Sequence, residues 1–129
     1  MAVNISLGPI SLPWYNKMVE HFPALAGKFS SFDSPDENVK LPHIRMIPAG
    51  NALADKDLEG VENAILNYIQ IEFEASTKNW NNIEKYDKVS HEFMESIGYE
   101  RTVGLQYMQT TNVVRAVCRY KKLETESNY

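Results

Sequence analysis

Residues 64–75 read AILNYIQIEFEA, and residues 79–97 read NWNNIEKYDKVSHEFMESI. In the first stretch Ile65, Ile69, Ile71 and Phe73 face one way, and Tyr68, Gln70, Glu72 and Glu74 face the other. Period-two alternation of this kind describes a strand in a sheet with one dry side and one wetter side. In the second stretch Ile83, Tyr86, Val89, Phe93 and Ile97 recur at three- and four-residue steps, the stripe of an amphipathic helix. Asn81 and Glu84 have the spacing of a capping box at its start, and Gly98 supplies a stop at its end. A half-wet strand followed by an amphipathic helix points to an α+β domain.

Outward from this pair, two more strands follow. Arg101 to Gln109 places Val103, Leu105 and Tyr107 on one face, and Val113 to Tyr120 places Val114, Ala116, Cys118 and Tyr120 on one face. The short link Thr110-Thr111-Asn112 makes them an antiparallel hairpin. Upstream, Leu41 to Pro48 (LPHIRMIP) is a strand bounded by prolines, as suits an edge strand or one paired only in its middle. Ala49 to Asn63 reads as a long loop, of the kind that often carries function.

Near the N-terminus Trp14, Tyr15, Met18, Val19 and Phe22 form a helical stripe behind Pro13, which Leu25 and Phe29 could extend. Residues 30–40 (SSFDSPDENVK) are a surface connection, and the tail from 124 to 129 frays. The expected fold is therefore a single α+β domain over 1–129, with residues 1–40 as an N-terminal helix and connection. It holds a mainly antiparallel sheet of about four strands packed against two helices.

Composition narrows the function classes. The chain has 129 residues, 17 acids against 13 bases and a formal charge of -4, with 43% apolar residues. A general nucleic-acid binder needs excess basic charge to meet phosphate, which this chain lacks. The single cysteine, Cys118, excludes an intrachain disulfide and any multi-cysteine zinc site. No apolar run reaches the ~20 residues that span a bilayer. The N-terminus lacks a signal-peptide pattern, so a soluble protein of a reducing compartment is expected.

Catalytic patterns fail one by one. His21, His43 and His91 share no ligand spacing. Asp55, Asp57, Glu59 and Gly60 imitate the opening of a calcium loop, but Leu66 stands where a bidentate glutamate is needed. Cys118 lies mid-strand on the apolar face, as a small core residue. Glu72 and Glu74 invite a metal-dependent nuclease reading, yet Ala75, Ser76 and Thr77 follow where that chemistry wants a lysine. The plain reading places Glu72 and Glu74 on a wet sheet face. Arg115 and Arg119 share a face of the last strand, and if the strands are neighbours, cross-strand ion pairs account for both sets. The functional alternative is a charged face that meets another subunit, for which arginine's planar fork is suited. No enzyme, metal or cofactor is expected.

From Leu41 to Leu123 the chain resembles the tail terminator (minor tail or tail-completion) proteins of long-tailed bacteriophages. Four pieces carry the resemblance in order: PHIRMIPAGN from Pro42, KDLEGVEN over Lys56 to Asn63 running on to IQIEFEAS, MESIGYERT over Met94 to Thr102, and VRAVCRY over Val114 to Tyr120. The resemblance implies a structural virion protein of the tail or neck, assembled in the host cytoplasm. Six copies would form a homohexameric ring that ends tail-tube polymerisation and joins the tube to the head connector. The implied partners are other copies of the chain, the tail tube protein and the head–tail connector, without a membrane.

The loop of residues 50–63, with Asn51, Asp55, Lys56, Asp57, Glu59 and Glu62, would contact a neighbouring subunit or the tube. Arg115 and Arg119 would match the two arginines of the closing strand. DNA would pass without specific binding, since six copies of a -4 chain carry a formal charge of -24. A head-completion or connector protein of the neck is the nearest rival. A small ligand-binding regulatory domain, with the 50–63 loop closing a pocket, is the rival from another class.

Overall fold

The computed structural model describes residues 10–30, 41–53 and 65–124. The expected α+β class holds. Helix α1 (Ser11–His21) is followed by a 3-10 turn (Pro23–Leu25) and a two-residue strand β1 (Phe29–Ser30). Then come β2 (His43–Leu53), β3 (Ile65–Ser76), helix α2 (Asn82–Ser96), β4 (Glu100–Gln109) and β5 (Val113–Glu124). The five strands lie in the order β1-β2-β3-β5-β4, antiparallel except for the β1–β2 pair. Leu25 and Phe29 therefore do not extend the first helix. Gly27, at φ +79°, turns the chain out of it, and Phe29 enters the sheet opposite Ile44.

One face of the sheet is apolar and covered. Ile44 and Met46 of β2, Ile69, Ile71, Phe73 and Ala75 of β3, and Val114, Ala116, Cys118 and Tyr120 of β5 are buried in a single core. Trp14 and Met18 of α1 and Ile83, Val89 and Met94 of α2 pack into that core. Trp14 is fully buried, and its indole N–H donates to the Ser90 hydroxyl at 2.9 Å. A buried Trp N–H needs such a partner. Ser90 and Met94 thus belong to the buried stripe of α2, whereas Tyr86, Phe93 and Ile97 pack at its margin.

Two local expectations are corrected. Strand β2 does not stop at Pro48 but continues to Leu53, so the first residues of the expected loop are strand. Pro48 faces Ile69 and Asn51 faces Asn67, which gives β2 one extra residue, and such a bulge tolerates a proline that cannot donate to the ladder. Asn81 sits at the N-cap of α2 with helical angles and no side-chain cap bond, so the capping box does not form. Strand β4 keeps the alternation read for it, with Arg101, Val103 and Leu105 half-buried between exposed neighbours, although its register against β5 shifts twice, between Arg101 and Val103 and between Val103 and Gln106.

The other end of α2 closes as the glycine predicts. Gly98 has φ +93°, its N–H donates to Glu95 O at 3.0 Å, and the Tyr99 N–H donates to Met94 O at 2.9 Å. These are the two bonds of a Schellman motif, and Met94 and Tyr99 are both buried, the apolar contact that accompanies it. A Cβ at Gly98 would also meet the Lys122 side chain at 3.2 Å. Gly98→Ala is expected to cost about 1–2 kcal/mol, the penalty of a side chain in a left-handed conformation. Urea unfolding of the variant against wild type checks it.

Candidate functional site: the charged face of the sheet

The period-two geometry that sends Ile44, Met46, Ile71 and Phe73 into the core sends His43, Arg45, Gln70, Glu72 and Glu74 to the opposite face. In register, Arg45 stands opposite Glu72 and His43 opposite Glu74. From the other side, β5 sets Arg119 opposite Gln70 and Arg115 opposite Glu74. Strand β3 supplies the acids of this face, and both flanking strands supply bases.

The contacts form a connected network. Glu72 Oε1 accepts from Arg45 at 3.2 Å and from Arg115 at 2.7 Å, and its Oε2 accepts from Gln70 Nε2 at 2.6 Å. Arg45 also donates to Glu74 Oε1 at 2.8 Å. Arg119 Nε donates to Gln70 Oε1 at 2.8 Å, which ties the last arginine to the network through an amide. The His43 Nδ1 lies 3.5 Å from Arg45 Nε and 3.7 Å from Glu74 Oε1. One nitrogen serves only one of them at a time, accepting from the arginine or carrying a proton toward the acid.

This corrects the expectation of a wet face at Glu72, which is 2% exposed. Its carboxylate is held from both neighbouring strands and from Gln70. Glu74 is only partly buried, in line with the wetter reading. The expected cross-strand ion pair is present at Arg115, though it runs diagonally to Glu72 rather than straight across to Glu74. Arg119 is exposed and bonds an amide rather than an acid. Asn51 lies in β2 opposite Asn67, next to the bulge. Asp55, Lys56, Asp57, Glu59 and Glu62 lie outside the described residues. The residue that sequence reading missed is Arg45, which joins two acids. Its signal was the alternation of His43, Ile44, Arg45 and Met46, which places the two bases on one face.

A second polar cluster lies on the covered side, between α2 and the β4–β5 hairpin. Arg101 donates to Asp87 at 2.6 Å and to the Tyr120 hydroxyl at 2.7 Å, and its guanidinium lies 5.3 Å from the Tyr120 ring centre. His91 Nδ1 is 3.1 Å from the same hydroxyl, and its Nε2 is 3.4 Å from Glu95. With the proton on Nε2, Nδ1 accepts from the tyrosine. Burial works against the Arg101 charge, but the bonds to Tyr120 and Asp87 outweigh it and raise its pKa. Burial, reinforced by Asp87, pushes the Cys118 thiol up to about 12, and burial likewise raises Tyr120.

These residue types occur in catalytic sites, but both Cys118 and Tyr120 are 0% exposed, so a substrate cannot touch either. Their bonds latch the helix to the hairpin. An open groove of about 610 Å³ between the two helices is lined by Pro13, Asn16, Lys17, Glu20, Glu92, Phe93 and Ser96 and does not reach this cluster. Among the described residues, no group of three or more His, Cys, Asp or Glu side chains is placed to hold a metal. No described helix is long and apolar enough to cross a membrane. No family model and no curated protein matches the chain.

Two outcomes test this network. Glu72→Ala removes the acid that Arg45 and Arg115 share, leaves Arg45 with Glu74 alone, and is expected to cost about 1–3 kcal/mol in urea unfolding. Arg119→Ala, at an exposed contact, is expected to stay within about 0.5 kcal/mol of wild type. The second outcome concerns pH. His43 chiefly, then Arg45 and Arg115, hold the Glu74 carboxyl below its ordinary value of 4.5, against the burial that raises it. As pH falls, the unfolded chain therefore takes up this proton first, and stability present above pH 4.5 is lost as pH drops toward the lower folded value. Glu74→Gln is expected to flatten that acid limb in denaturation measured across pH 3–6, and an unchanged limb would contradict the assignment.

Proposed function

We propose that the protein is a structural subunit of a phage tail or neck, forming a ring at the end of the tail tube that stops its growth and meets the head connector. The reading rests on the ordered resemblance from Leu41 to Leu123, and the observation that carries it is the charged face of the sheet. No described helix covers that face. Glu72 and Arg45 are buried in mutual pairs, and Arg119 stands exposed beside them. An exposed arginine suits contacts between subunits, where the planar guanidinium can meet a carboxylate through two bonds. The virion is the place of action on this reading.

The test uses purified protein added to polymerising tube protein, with tube length and bound mass as readouts. Wild type is expected to cap tubes at a limiting length. Arg119→Glu is expected to cap at least tenfold more weakly while unfolding at the same urea concentration as wild type. Capping unchanged by the reversal removes the charged face as the contact. No effect of wild type on tube length, with binding to the portal instead, moves the protein to the head side of the joint.

A further inference from the structure

Strand β4 is the outer strand of the sheet, and its last part differs from every other surface described. After the two register shifts, Gln106 to Gln109 runs in regular register with Val117 to Val114. All four residues are exposed, Tyr107 at 40% and Met108 at 51%. Trp80, 45% exposed, meets the Tyr107 ring edge-on at 5.8 Å and widens the apolar patch toward the start of α2. Residues 102–112 (TVGLQYMQTTN) contain no charged side chain, in a chain that is 23% charged. Natural edge strands are usually blunted by charge, proline or a bulge. Here the bulges end at Gln106, and the segment beyond has none of these.

The hydrogen-bond phase of this edge is defined. The Thr110 N–H donates to Val113 O at 2.8 Å, and alternation along an antiparallel ladder then turns the amides of Thr110, Met108 and Gln106 toward β5. Tyr107 and Gln109 turn their N–H and C=O groups outward, where no described strand pairs with them. Tyr107 lies opposite Ala116, so its side chain is on the core face of the sheet, and Met108, opposite Arg115, is on the charged face.

We infer that this edge is the contact between two copies of the chain, which pair β4 to β4 antiparallel across a two-fold axis at Tyr107. Centring on Tyr107 keeps like faces together, because antiparallel partners share a face. It places the outward N–H and C=O of each Tyr107 on the C=O and N–H of the other. Gln106 then lies opposite the second copy's Met108, twice over, on the charged face. On the core face the two Tyr107–Trp80 pairs join into one aromatic cluster. A charged partner finds no complement along this segment, whereas a second copy brings the same uncharged edge and the same polar-apolar-apolar-polar order. Such an isologous contact closes at two copies. It is therefore distinct from the cyclic contact of a ring and stands independently of the function proposed above.

The contact is shorter than the ~1,000 Å² of a permanent interface, so it depends on concentration. Light scattering and sedimentation of the wild-type protein are expected to show the mass rising from 14.8 kDa toward twice that value as concentration increases. Amide exchange at Tyr107 is expected to slow in step, while the amides of Gln106 and Met108, which already face β5, are unchanged. Tyr107→Lys and Tyr107→Glu each set like charges opposite one another on the axis, and each is expected to be monomeric. An equimolar mixture of the two is expected to regain the dimer. A wild type that stays monomeric throughout overturns the inference, as does a dimer that persists in Tyr107→Lys. If either variant fails to fold, the wild-type exchange decides: fast exchange at Tyr107 in a sample that is dimeric by mass also overturns it.

Discussion

The carboxylate of Glu72 is the constraint around which the sheet is organised. A charge this deeply buried is tolerated only when it is paired and fully hydrogen-bonded. Its partners come from β2 through Arg45 and from β5 through Arg115, the strands on either side of β3. The three strands therefore share one register on the polar face as well as on the apolar one. A slip of one residue in β2 would send Arg45 into the core and Ile44 out of it, and would leave Glu72 short of a base. Packing alone would penalise such a slip. The ion pairs penalise it a second time, from the opposite face.

The two faces of the domain are thus held by different physics. On the covered side, burial of aromatic and aliphatic side chains supplies the driving force, with single polar bonds, Trp14 to Ser90 and Arg101 to Asp87 and Tyr120, fixing how the helices sit. On the other side, charge pairing links the three central strands. Chemistry-bearing residues are present on both sides, but their reactive atoms already serve one another. The thiol and phenol of the covered cluster are kept protonated by burial. The functional reading proposed above rests on surfaces.

Much of the architecture was legible because it depends on local periodicity. The alternation through Ile69, Ile71 and Phe73, the stripe of α2, the glycine stop at Gly98 and the short Thr110–Asn112 turn each follow from nearby residues. The misses have non-local causes. Pro48 reads as a terminus unless the bulge that accommodates it is known, and that bulge is defined by β3. The pattern placed Glu72 on the correct face, but its burial depends on Arg45, 27 positions away in sequence. The capping spacing of Asn81 and Glu84 was present in sequence, yet the backbone at Asn81 is already helical, which directs its side chain away from the cap. Alternation in β4 was legible in Val103 and Leu105, but the two register shifts that interrupt its pairing were not, because they are defined against β5.

The central claim is that the chain acts as an assembly subunit at the end of a tail tube. On that proposal the gene belongs to a phage, and the most direct test is tail length, by electron microscopy, in phage lysates after the gene is deleted. The account predicts over-long or ragged tubes, separate from filled heads. Intact virions with tails of normal length would contradict it.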